Sequence, residues 1–143
     1  MTADPIPAAL MSKAKRACAS ARLLLVAGDV DGACNRAYYA MFDAARAALL
    51  AANAPVPPDM GKTHGGLISA FGLQLVRNGR VSNELGRALN RAEEIRLVAD
   101  YRGDSVEFDD ARAMVEQAEV FVEAMRAEFM PDSRSHDDAG MQP

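Results

Sequence analysis

The sequence predicts an all-α protein, an up-and-down bundle of five helices, and three observations predict it. Alanine supplies much of the hydrophobic half of the chain, whereas aromatics make up 6% and Trp is absent. Alanine is the strongest helix former, and strands draw instead on β-branched and aromatic residues. Five stretches repeat apolar residues at spacings of three and four, each with a single apolar stripe. Finally, the connections between them are short except for one proline-rich segment, as in a bundle of antiparallel neighbours. At 143 residues the chain is one domain, long enough to bury a core without staples.

The first helix is expected from about Pro7 to Val26 on Leu10, Ala14, Cys18, Ala21 and Leu25. Pro7 suits a first turn and Gly28 suits an end. A second runs from about Val30 to Ala52 on Cys34, Tyr38, Met41, Ala45, Ala48 and Ala52. Its small inner residues let neighbours approach closely, which places it at the centre. Pro55, Pro57 and Pro58 then stop it, since proline lacks the N–H a helix interior needs. The third is expected from Thr63 to Asn78-Gly79, with Leu67, Phe71 and Leu75 inward. Ser82 caps the fourth, whose stripe is Leu85, Leu89, Ala92, Ile95 and Ala99, ending at Arg102-Gly103-Asp104. The fifth runs from about Asp109 to Phe129 on Val115, Ala118, Val122, Met125 and Phe129. Pro131 closes it. Residues 1–130 therefore form one bundle, and the polar residues 131–143 read as a disordered tail.

The formal charge of −4 is unevenly spread. Residues 1–103 hold 13 Lys and Arg against 9 Asp and Glu, and residues 104–143 hold 3 against 11. A mildly basic body can meet phosphates through a salt-dependent Coulombic attraction; genomic base bias toward Arg and Ala produces the same arithmetic. Cys18 and Cys34 are out of register on two antiparallel helices that turn near Gly28, so they are expected as buried, reduced thiols. The N-terminus lacks a basic and an apolar signal region, and no apolar run approaches the ~20 residues of a membrane span. A soluble, cytoplasmic protein is expected.

Several chemistries are absent from the pattern. There is no Gly-rich phosphate loop ahead of Lys and Ser or Thr, no dinucleotide fingerprint, no Cys pair at zinc spacing and no nucleophile elbow. A di-iron bundle needs Glu three residues before His, but Gly61 precedes His64 and Ser133 precedes His136 at that spacing. No metal or cofactor is expected. What remains is charge on helix faces. Glu93, Arg96 and Asp100 share one face of the fourth helix, away from its apolar stripe, with Tyr101 following; Arg36, Tyr39, Asp43 and Arg46 share one face of the second. Facing each other, these stripes build a groove in which Arg binds a phosphate and Tyr or Asp moves a proton. Facing water, they are solvated faces with weak intrahelical ion pairs. Lys62-Thr63-His64-Gly65-Gly66 opens the third helix, where Thr63 is a good cap and free N–H groups attract anions. His64 is there either to pack at the bundle edge or to contact an anionic substrate.

Residues 28–46, with Arg36-Ala37-Tyr38-Tyr39-Ala40 at their centre, resemble the second-helix signature of HEPN domains. Lys62-Thr63-His64-Gly65-Gly66-Leu67-Ile68 and Arg96-Leu97-Val98-Ala99-Asp100-Tyr101 resemble later motifs of one branch of that family. The resemblance spans about residues 10–127. It implies a bundle of four or five helices, usually a homodimer with its groove at the interface. Many members are metal-independent ribonucleases, among them toxins paired with a minimal nucleotidyltransferase. Their hallmark is an Arg followed after four to six residues by His. Arg96 matches the Arg, but Tyr101 stands at the first position open to the His, and Arg102 and Gly103 follow. Cleavage through the ribose 2′-OH needs a base and an acid, and histidine serves as both near neutrality. Either His64 replaces the missing base or the site binds without cutting. The resemblance thus assigns Arg96, Asp100, Tyr101 and His64 to a catalytic group. Arg36, Tyr39, Lys62 and Thr63 go to RNA or phosphate binding, with RNA, a minimal nucleotidyltransferase and a second copy as partners. Tyr101 is also placed to accept nucleotides from such a partner.

Overall fold

The computed structural model describes residues 5–55, 63–102 and 106–130. Five α-helices follow in order: α1 (Pro5–Val26), α2 (Val30–Ala51), α3 (His64–Phe71), α4 (Asn83–Arg102) and α5 (Phe108–Phe129). The architecture is the expected all-α bundle, and among the described residues there is no strand. The expected tail at 131–143 lies outside the described residues, as do 56–62 in the proline-rich connection.

Each boundary has a local cause. Gly28 takes a positive φ of 88°, open to glycine at no steric cost, and so reverses the chain after α1. Asp29 then caps α2, its carboxylate accepting from the Gly32 N–H at 2.9 Å. Ser82 caps α4 in the same way, accepting from the Leu85 N–H at 3.1 Å. The third helix is where the pattern is not uniform. It is α-helical to Phe71 and then widens into a π turn over Gly72–Val76, closed by the Arg77 N–H on the Gly72 carbonyl at 3.0 Å. One inserted residue per turn leaves Leu67, Phe71 and Leu75 all facing inward, as the spacing anticipates.

The central position of α2 follows from its side chains. It packs against α1, α3, α4 and α5, and Ala33, Ala37, Ala40, Ala44, Ala45, Ala47 and Ala48 are fully buried. Small side chains on both helices, among them Ala14, Ala17 and Ala21 of α1, let α1 and α2 pack closely. The larger residues Tyr38, Met41, Leu49, Leu67, Phe71 and Phe121 are fully buried in the same core. Phe71 and Phe121 meet with ring centroids 5.6 Å apart and thereby tie α3 to α5. Cys18 and Cys34 are free and buried, and burial pushes both thiols up to about 11, so they stay protonated and inert. Among the described residues no helix is long and apolar enough to cross a membrane.

Candidate functional site

The site is assembled from the start of α3 inward. Thr63 precedes α3 in extended backbone, and its hydroxyl accepts from the Gly66 N–H at 3.0 Å. A Cβ on Gly66 would run into that hydroxyl oxygen, which accounts for one of the two glycines; Gly65 faces open space. The cap sets the first turn of α3 so that His64 lies against α2. There the imidazole is walled by three rings: Phe42 at 4.8 Å between centroids, Tyr38 at 5.4 Å and Tyr39 at 5.6 Å.

Arg96 reaches the same corner from α4. Its guanidinium lies over the Tyr38 ring, 4.7 Å from the centroid. Nη1 donates to Asp100 at 3.0 Å, and Nη2 stands 3.3 Å from His64 Nδ1. The buried Tyr38 hydroxyl lies 2.9 Å from that same nitrogen. Arg96 stands on the face away from the α4 apolar stripe, and that face meets α2 and α3 and not open water. At 9% exposure it is turned into the bundle, because the Tyr38 ring and the carboxylate one turn along offer a guanidinium what water would otherwise supply. Its Nε is buried with no hydrogen-bond partner among the described residues.

The expected stripe on α2 divides. Tyr39 borders His64, and Arg36 sits over Tyr39 at 5.5 Å while bonding Asn35. Asp43 is buried instead of solvated; burial raises its carboxyl pKa, against the pull of Lys13, Arg46 and Arg36. The side chains of Lys62 and Tyr101 lie outside the described residues. Sequence reasoning missed Tyr38 and Phe42, treating the first as core filling. The available signal was chemical: a buried tyrosine hydroxyl needs a partner, and spacing along one helix cannot show where that partner lies.

Burial, helped by the Arg96 charge and opposed by Glu93, holds the His64 imidazole below its usual 6.5. The unfolded chain therefore binds the proton more readily than the folded one. Stability from this group is complete above about pH 6.5 and is lost as pH falls through the lower folded value. Acidification from about pH 7.5 to about pH 5 should lower the urea midpoint, and His64→Gln should shrink that difference. An unchanged difference in the variant would remove His64 as its source.

Among the described residues no group of three His, Cys, Asp or Glu is placed to hold a metal ion. A groove of about 340 Å³ between α4 and α5, lined by residues including Met41, Arg87, Arg91, Ile95 and Met114, involves neither His64 nor Arg96. The chemistry and the concavity are thus on different sides of α4, and the reactive groups decide which is the candidate site.

Comparison with known proteins shows the family of the bundle. The model of the HEPN domain matches residues 8–128, nearly the whole bundle. The chain belongs to the HEPN family. A UPF0332 protein of Gloeobacter violaceus is 37% identical over 116 residues, covering 80% of this chain and 88% of its own length. A UPF0332 protein of Thermotoga maritima is 35% identical over 115 residues, covering 79% and 83%. A Methanocaldococcus jannaschii protein, named "Putative toxin", is 33% identical over 118 residues, covering 82% and 84%. In this HEPN domain no His follows Arg96 within α4. The imidazole beside it comes from α3, 32 residues earlier in the chain.

Proposed function

We propose that this HEPN protein acts on RNA as part of a toxin–antitoxin or similar defence pair, engaging a phosphodiester at the Arg96–His64 corner and cleaving it without a metal ion. The observation that carries the reading is the 3.3 Å approach of Arg96 Nη2 to His64 Nδ1, an Arg and a His brought together across two helices. A guanidinium matches phosphate oxygens through paired N–H donors and stabilises the charge that grows on those oxygens as the 2′-oxygen attacks, its proton passing to the Asp100 carboxylate beside Arg96 and the 5′-oxygen leaving with a proton from solvent. Asp100 orients that guanidinium, with Tyr39, Arg36 and Thr63 flanking the approach; Lys62, outside the described residues, is assigned to phosphate binding on sequence alone. The "Putative toxin" name of the archaeal relative supports the class. The pairing with a minimal nucleotidyltransferase, nucleotide addition at Tyr101, the homodimer and the cytoplasmic location belong to this proposal.

A second reading has its own observation. Nδ1 already lies within hydrogen-bonding distance of the Tyr38 hydroxyl and Arg96 Nη2, so the obvious base is engaged. A site of this kind binds RNA or nucleotide without cutting and serves as the non-catalytic partner of a nucleotidyltransferase. Inducing the chain alone in a bacterial host, with Arg96→Ala in parallel, separates the two. Growth arrest with fragmented total RNA, reversed by the variant, is the result expected for the ribonuclease. Normal growth with intact RNA at confirmed soluble expression would sink cleavage and leave the binding partner.

A further inference from the structure

The contacts on His64 specify which of its nitrogens carries the proton. Arg96 can only donate, and its Nη2 lies 3.3 Å from Nδ1. A hydrogen on Nδ1 would point at a cation. The Tyr38 hydroxyl, 2.9 Å from the same atom, is fully buried, and burial together with the charge of Glu93 keeps its phenol protonated. Two donors therefore converge on one lone pair. The proton of the neutral ring is on Nε2, the nitrogen left to meet a ligand.

We propose that Tyr38 is a positioning residue which, with Arg96, locks His64 as its neutral Nε2–H tautomer, so that the imidazole meets a phosphodiester as a hydrogen-bond donor and not as a proton acceptor. Neutral imidazole serves as such a donor wherever surrounding groups keep the ring uncharged. The groups facing His64 are Tyr38, Tyr39 and Phe42 from α2 and Arg96 and Glu93 from α4, with Thr63 next to it on its own element. Among the described residues only Tyr38 and Arg96 come within hydrogen-bonding distance of Nδ1. The stacked Tyr38 ring, 23° from parallel with the imidazole, fixes the ring plane while its hydroxyl fixes the proton. The tautomer stands on these contacts alone, whereas the donor role rests on the RNA reading above.

The test has two arms so that the two parts fail separately. Nitrogen-15 NMR of the imidazole in RNA-free protein, with His136→Gln to assign the signal, should find Nε2 protonated and Nδ1 bare. Tyr38→Phe keeps the ring and removes only the donor to the neutral form, so both tautomers should appear and the His64 pKa should rise. Protonated Nδ1 in the parent protein, or an unmoved pKa and tautomer ratio in Tyr38→Phe, would overturn the lock. In the second arm a short labelled oligoribonucleotide is titrated. His64→Ala should weaken binding about tenfold or more, the worth of one hydrogen bond to a charged acceptor, and His64→Gln, whose amide N–H replaces Nε2–H, should recover about threefold or more of that. Equal loss in both variants would overturn the donor role. Absence of RNA binding by the parent protein would overturn that role and the RNA reading together, and the NMR arm would still decide the lock.

Discussion

If the proposed ribonuclease reading holds, Arg96→Lys should lose RNA cleavage almost as completely as Arg96→Ala, by about a hundredfold or more, although it preserves the charge. The guanidinium does three things from one plane. It bonds Asp100 at 3.0 Å, approaches His64 Nδ1 at 3.3 Å and lies on the Tyr38 ring at 4.7 Å. An ammonium is a compact point charge on a flexible stem; it can keep the Asp100 bond but neither the flat contact nor the fixed fork. A hundredfold loss corresponds to about 2.7 kcal/mol of transition-state stabilisation, in the range found for one preorganised donor. Single-turnover cleavage of a short RNA by the parent, Arg96→Ala and Arg96→Lys proteins, each checked for intact helicity, measures this directly. Retention of more than about a tenth of the parent rate by Arg96→Lys would mean that charge suffices and that the plane of the side chain is irrelevant.

Phe121→Ala should cost about 3–5 kcal/mol of folding free energy, a large part of what a domain of this size possesses. Phe121 is fully buried on α5 and packs at 5.6 Å on Phe71 of α3, so its removal leaves a cavity at the junction of two helices. At an ordinary urea slope of about 2 kcal/mol per molar, the midpoint should fall by about 2 M. Phe121→Leu keeps most of the volume and should cost about 1.5 kcal/mol or less. A loss below about 1 kcal/mol for the alanine variant would mean that α3 is not held by this contact.

Much of the fold was legible because the relevant physics is local. The α2 stripe, the Thr63 and Ser82 caps and the glycine stop after α1 are each visible within a few residues. The π turn was not, because inserting one residue keeps Leu67, Phe71 and Leu75 inward just as a continuous helix would. Arg96 was legible only in part. Helical patterning leaves open whether its face meets water or another helix, and what draws it inward is a tyrosine ring on α2. The His64–Arg96 approach spans 32 residues and depends on the path of α3 relative to α4, which no local spacing contains. Resemblance to a family named both residues, but only the fold brings them together.

The alanines of α2 have a consequence for the order of the whole corner. A methyl group has no rotamer to choose, so burying Ala33, Ala37, Ala40, Ala44, Ala45, Ala47 and Ala48 freezes no side-chain torsion. The helix that carries Tyr38 and Phe42 is consequently seated in the bundle largely by groups that have no torsion to choose. The aromatic wall around His64 is preorganised from below, and the entropy of setting it has been spent during folding, before any ligand arrives.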